Sequence, residues 1–355
     1  MSDEPFNFDY ESTRIVRGNN VFVDLNEADV LAAHADDNKL ASTSIRLRNK
    51  RDEVVEYLRS CDRTNALVSI GQALHPVQDL YSHTNAVDNN FLHLLTGNNV
   101  LNLVDGTAHC NNTGENGPLY APGGLVSGYF ILEAATSAFW PGGITPDEAS
   151  CFGVPGEFLS VEEQHGPGNC CHLFLNKDNA SQINPNTEIA QFYAAEGTSN
   201  YMHLVFDKIS EEFPQEQVLY YKNMLRKKQR KSIFVIDTTH SMEEDNNSIS
   251  NSVDNYLNQL LDEEEAPSFG LVTFKDESEI VQSELVCNVS DFRESISEIE
   301  AYGGDDCPEA SGKALYDSLN HYFKFGEPGE GFREGGDIFL YTDAPPSEVS
   351  ETYIH

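Results

Sequence analysis

The sequence predicts an α + α/β protein: a mainly helical N-terminal domain with long loops, then an α/β domain whose sheet is mostly parallel. Three observations lead there. Residues 25–95 place apolar side chains three or four apart, as in Val54, Val55 and Leu58 and then Leu67, Ile70 and Leu74, the spacing that lines one face of a helix. Residues 96–186 are crowded with Gly, Asn and Pro, with turn signals at Asp105-Gly106, Pro122-Gly123-Gly124 and Pro141-Gly142-Gly143. After Lys231, short apolar runs alternate with amphipathic segments, the texture of a parallel sheet covered by helices.

Taken in order, residues 1–20 are polar and mixed and read as a disordered N-terminus. Residues 21–214 form the helical domain, with long loops over 96–186 and helical pattern again at 187–210. Residues 215–231 read as a helical linker. Its cations Lys222, Arg226, Lys227, Lys228, Arg230 and Lys231 suit a helix C-terminus before a domain boundary. The α/β domain then occupies 232–355. Residues 232–236 are a buried strand, and Ile249, Val253, Leu257, Leu260 and Leu261 mark an amphipathic helix. Strands are expected at 269–274, 279–285 and 337–342. Between them lie a helix carrying Phe292, Ile296 and Ile299 and another over 309–323.

Composition bounds the function. The chain of 355 residues supports two cores, and its net charge of −36 excludes nucleic acid as a partner, because phosphates need a basic face. Such an acidic surface suits cation recruitment. No apolar run approaches the roughly eighteen residues of a membrane span. The first twenty residues lack the basic start and apolar centre of a signal peptide, which taken literally gives a cytoplasmic protein. Against that stand seven cysteines, with Cys151, Cys170 and Cys171 in one loop-rich stretch, and four glycosylation sequons at Asn111, Asn179, Asn246 and Asn288. These favour a secreted, extracellular glycoprotein whose signal-bearing start is missing from the sequence. Cys287 and Cys307, near one sheet edge, are the expected disulfide partners.

Directly after the strand at 232–236 come Asp237, Thr239 and Ser241 in a D-x-T-x-S turn. Ligands of open α/β sheets bind at the carboxyl ends of strands, and one carboxylate with two hydroxyls offers hard oxygens for magnesium or calcium. A helix cap is the plain alternative for the turn alone. Two more segments shift the balance: the acidic loop GGDDCPE at 303–309, and Asp343, which directly follows the strand at 337–342. Together these motifs resemble a von Willebrand factor A domain, a Rossmann-like fold, with Asp237, Thr239 and Ser241 matching its metal-ion-dependent adhesion site. The GGDDCPE loop is similar to the hemicentin-like subgroup, which implies that Asp306 and Asp343 complete the Mg2+ or Ca2+ shell. In that subgroup Asp305 stands where the motif has glycine. The resemblance further implies an extracellular protein partner that offers a carboxylate to the cation. It also implies roughly two more strands and helices after Tyr353, so the domain is expected to be incomplete.

The second constellation is GQALHPVQDLYSH at 71–83, where His75, Asp79 and His83 recur at i, i+4 and i+8 along one helix face. Such a face is half of a zinc site, or else a polar face with satisfied histidines. Pro76 inside it removes a helix hydrogen bond. The segment resembles the LHxxQDFYSHSNW motif shared by Het-C proteins and the von Willebrand factor A domain-containing protein 7 family, which places a helical domain before an A domain. Leu80 and Ala86 depart from it. A remoter similarity to zinc-dependent phospholipases C implies His34 as a further Zn2+ ligand and Asp24 as a weaker candidate. Binding through the A domain is the favoured function. The alternative is a zinc-dependent phosphodiester hydrolase using His34, His75, Asp79 and His83, whose metal would generate a hydroxide nucleophile.

Overall fold

The computed structural model describes residues 6–27, 30–35, 39–84, 86–87, 91–105, 125, 152–154, 157–158, 186–227, 230–262, 267–275, 280–303, 310–323 and 336–343. The chain divides into two compact units, one of Met1–Ser12, Val55–Ala66 and Ile209–His355, the other of Thr13–Val54 and Leu67–Lys208. The division therefore falls at several points of the chain, and two short N-terminal segments belong with the α/β domain.

The helices of the N-terminal half are α1 (Tyr10–Asn26), the single turn α2 (Leu31–His34), α3 (Leu40–Arg59), α4 (Arg63–Ser82) and α5 (Thr187–Glu212). A two-stranded antiparallel ribbon, β1 (Phe152–Val154) with β2 (Glu157–Phe158), lies in the long loop region. The expected disordered N-terminus is corrected here: residues 10–20 are the first part of α1. Ser12, Val16 and Val23 are buried at near-helical spacing, so a stripe of about one small or apolar residue per turn anchors a helix that is otherwise polar.

Gly71 on α4 makes that packing feasible. A Cβ there would lie 2.5 Å from the Val16 carbonyl oxygen and 2.9 Å from Asn19 Cβ, so α1 crosses α4 at backbone contact. In the same unit, Leu47, Leu67, Ile70 and Val77 are fully buried. Tyr201 of α5 donates its buried hydroxyl to the Leu47 carbonyl at 2.8 Å. Gly71→Ala is expected to cost about 1–3 kcal/mol through overpacking. Gly18→Ala, with nothing within 4 Å of the added methyl, should be neutral or stabilising, since an exposed helical Gly is weaker than Ala by roughly 0.5–1 kcal/mol. Equal melting temperatures for the two variants would refute the close approach.

The α/β domain follows α6 (Val218–Arg226), which ends at the cationic run. Its elements are β3 (Lys231–Asp237), α7 (Asn246–Asp262), β4 (Ser268–Phe274), β5 (Val281–Gln282), α8 (Val289–Ser297), α9 (Ser311–Phe323) and β6 (Gly336–Tyr341). The sheet order is β5-β4-β3-β6, with β3 parallel to both β4 and β6 and β5 antiparallel at the edge. The third expected strand, 279–285, is thus reduced to two residues and a bridge between Phe269 and Val286. Ser283 explains part of this, because its hydroxyl accepts from the Leu271 amide at 3.0 Å, where a continuing strand would bring a main-chain acceptor.

β3 is buried on both faces, as a central parallel strand must be. Ile233 and Val235 join Val272, Phe274, Ala314 and Tyr322 on one side. On the other, Phe234 meets Phe292 and Phe339 at ring separations of 5.2 and 4.9 Å, and Phe269 stacks on Phe292 at 5.0 Å. Cys287 is disulfide-bonded to Cys61, with Cα atoms 5.4 Å apart. The expected Cys287–Cys307 pairing is therefore replaced by a partner 226 residues away in sequence. Both cysteines of the bond lie within the unit that contains the α/β domain.

Candidate functional site

The sheet order defines where a ligand binds. The chain passes from β3 to β4 on one side and later returns with β6 on the other side of β3, so β3 and β6 flank a topological switch point. Both strands end there. Asp237 is the last residue of β3, and Asp343 follows β6 by two residues.

Between them the chain builds a line of oxygens. Asp237 is fully buried, and its Oδ1 accepts from the Thr239 amide at 2.9 Å and the Thr239 hydroxyl at 2.8 Å. Thr239 Oγ1 lies 3.0 Å from Ser241 Oγ, which donates to Asp343 Oδ1 at 3.2 Å. Thr342 Oγ1 donates to the other Asp237 oxygen at 2.8 Å. Thr342 was absent from the sequence-derived set, although its place beside Asp343 at the strand end marks it. Ser241 is the second residue of a 3-10 turn, His240–Glu244, and is exposed, as is Asp343. The buried end of the line thus anchors it and the exposed end faces solvent.

The start of the acidic loop is tied to the same turn. The Tyr302 amide donates to the Thr238 carbonyl at 3.0 Å, and the His240 amide to the Gly303 carbonyl at 2.9 Å. Gly303 has φ of 70°, which favours glycine there. Asp306, expected to complete the shell, lies outside the described residues. Beside the turn, Thr238, Thr273, Lys275, Glu298, Glu300 and Tyr302 help line an open cavity of about 530 Å³, with Lys275 Nζ 3.1 Å from the Tyr302 ring centre. The donor set of carboxylates and hydroxyls fits magnesium or calcium, which take oxygen ligands.

The N-terminal unit brings a second set together. α4 continues through Pro76 and ends at Ser82, which puts His75 and Asp79 on one face and His83 just beyond it. His75 Nε2 lies 3.1 Å from His34 Nδ1 and 3.1 Å from Asp79 Oδ2, while His34 Nδ1 is 3.5 Å from that same oxygen. His83 Nδ1 meets the opposite oxygen of Asp79 at 3.9 Å. Asp24 of α1, outside the main sequence-derived set, stands with Oδ1 3.3 Å from His75 Nε2. Burial alone would push the Asp79 carboxyl up, yet the surrounding His83, His34 and His75 hold it well below the usual carboxylate range.

Of the glycosylation candidates, Asn111 and Asn179 lie outside the described residues. Asn246 begins α7, and Asn288 caps α8, its Oδ1 accepting from the Ser290 amide at 2.8 Å. No described helix is long and apolar enough to cross a membrane.

The strand-end site on a mostly parallel sheet defines a von Willebrand factor A domain, and residues 232–352 match the family model of that description. Residues 4–139 match the model described as the VWA7 N-terminal domain. The chain belongs to the VWA7-like family, in which that domain precedes an A domain. Neither a curated protein nor a solved structure gives a match.

Proposed function

We propose that this is a secreted binding protein whose A domain captures an extracellular protein partner through a divalent cation, Mg2+ or Ca2+. The observation that carries the reading is the line of oxygens from buried Asp237 through Thr239 and Ser241 to exposed Asp343, at a sheet switch point. A cation held there supplies an open coordination position for a partner's carboxylate. Asp237 anchors the site, because Thr239 and Thr342 fix its two oxygens. Ser241 and Asp343 provide the accessible ligands, with Asp306 as a further one. The Cys61–Cys287 disulfide supports an oxidising compartment, as do the sequons at Asn111 and Asn179.

The test is thermal stabilisation of the full chain by millimolar Mg2+ or Ca2+. The wild type should gain several degrees, since a ligand that binds only the folded state stabilises it by about 2.7 kcal/mol at a hundred times its Kd. Asp237→Ala should abolish the shift. Ser241→Ala, at an exposed position that does not threaten folding, should reduce it strongly. A Ser241→Ala and Asp237→Ala pair that both respond like the wild type would refute the site.

A further inference from the structure

We propose that Lys275 is a second anchor for the partner of the A domain, seating an acidic side chain in the cavity beside the cation site. The inference rests on the cation-dependent reading above and adds that the partner presents two carboxylates, one to the cation and one to Lys275.

Strand register places the two anchors side by side. Asp237 and Phe274 are paired across the parallel strands β3 and β4, so the next residues, Thr238 and Lys275, leave neighbouring strands roughly 4.8 Å apart. Main-chain bonds hold them there. The Thr238 amide donates to the Phe274 carbonyl at 2.9 Å, and the Ala310 amide donates to the Lys275 carbonyl at 3.1 Å. Thr238 belongs to the D-x-T-x-S turn and also lines the cavity of about 530 Å³. The line of oxygens and the cavity therefore share a wall.

Lys275 is an incompletely compensated charge. The residue is 7% exposed, and among the described residues its ammonium has neither a carboxylate partner nor a hydrogen bond. What it has is the face of Tyr302, with Nζ 3.1 Å from the ring centre. A ring face offsets only part of the cost of withdrawing an ammonium from water, and enclosed cations are otherwise paired with anions. Glu298 and Glu300 line the same cavity, yet both are exposed and neither pairs with Lys275.

The hydroxyls of the cavity identify the class of ligand. Thr238 Oγ1 donates to the Phe274 carbonyl at 3.2 Å, and Ser295 Oγ donates to the Asp291 carbonyl at 3.1 Å. Both protons are thus committed to the main chain. The side-chain donors that remain are the Lys275 ammonium and the Thr273 and Tyr302 hydroxyls, neither of which has a hydrogen-bond partner among the described residues. One positive charge with hydroxyl donors matches a singly charged acceptor, a carboxylate. A phosphate dianion would bring a second negative charge towards Glu298 and Glu300. The net charge of −36 also disfavours a broadly acidic partner, so the acidic pair is set among neutral or basic residues. Two linked contacts reinforce each other, because the second forms within the complex made by the first.

The experiment is NMR of the full chain, isotope-labelled at the lysine Cε, with acetyl-glutamate amide in EDTA and with short peptides in Mg2+. The resonance that disappears in Lys275→Gln should lie upfield of the other lysines, because it sits over the Tyr302 ring. It should move saturably with acetyl-glutamate amide and stay still with the neutral glutamine analogue. In Mg2+, peptides carrying two glutamates at a range of spacings among lysines and glycines supply the second readout. The best spacing should bind about 10-fold tighter than its single-glutamate version, the scale of one charge-assisted hydrogen bond. Lys275→Gln should remove that gain and leave the Mg2+ stabilisation intact. Ser241→Ala should weaken the Mg2+ response while the Lys275 resonance still answers to acetyl-glutamate amide. Where Lys275→Gln proves unfolded by circular dichroism, Lys275→Arg supplies the assignment and the wild-type titrations decide. A Lys275 resonance that moves no more than those of exposed lysines, or equal affinity for one- and two-glutamate peptides, overturns the proposal. So does loss of the Mg2+ shift in Lys275→Gln, which would make the lysine a support of the cation loop. A wild type with no Mg2+ shift but a responding Lys275 refutes the cation reading and upholds the carboxylate seat.

Discussion

Cys61→Ser combined with Cys287→Ser is expected to destabilise the unit containing the A domain by about 3–5 kcal/mol, read from urea unfolding of the full chain. The bond closes a loop of 226 residues, and in the chain-entropy account a crosslink that long restricts the unfolded state by about 5 kcal/mol. It ties the turn after α3 to the residue just ahead of the Asn288 cap of α8. Cys287 is 1% exposed, so the serine replacement also buries a hydroxyl, and the paired alanine variant separates that penalty from the crosslink. A loss below about 1 kcal/mol in the alanine pair would show that packing alone holds this corner, since that is the scale of an ordinary single substitution.

Arg63→Ala is expected to cost about 3 kcal/mol, within the range for removing a buried cation that bonds to protein acceptors. Arg63 is 6% exposed. Its Nε donates to the Met224 carbonyl at 2.7 Å and its Nη2 to Ser12 Oγ at 2.6 Å, with Asp9 Oδ1 at 3.5 Å. The Asp9 amide in turn donates to the Arg226 carbonyl at 2.7 Å. Three segments distant in sequence are thus held by one guanidinium. Arg63→Lys should lose most of the same stability, because a single ammonium nitrogen cannot stand at both the Nε and Nη2 positions from which the guanidinium donates. Hydrogen exchange at the Asp9 amide is the specific readout. Protection there should collapse in Arg63→Ala, and an unchanged rate would show that the N-terminal segment is held by something else.

Much of the A domain was legible because its signals are local. β3 carries the apolar run 233–236 and ends on Asp237, and β6 ends just before Thr342 and Asp343, so the strand ends announce the site. α4 was legible from apolar residues at helical spacing, and His75 and Asp79 from their i, i+4 relation. β5 was overread, because a short run with Ile280, Val281 and Leu285 does not reveal that the ladder stops where Ser283 supplies a side-chain acceptor. α1 was misread as disorder, since Ser12, Val16 and Val23 make too thin a stripe to register against so many polar residues.

What the sequence by itself determined is the order of the two domains, the D-x-T-x-S turn at a strand end, and the presence of a histidine–aspartate helix. Only the tertiary structure decided that Cys287 joins Cys61, that Asp24 rather than His83 stands beside His75, and that Thr342 fixes Asp237. The reason is physical. Periodicity and turn chemistry act over a few residues and leave their mark in composition. The partner of a cysteine, or the carboxylate that completes a cluster, depends on which helix can approach which, and here a missing side chain at Gly71 settles that.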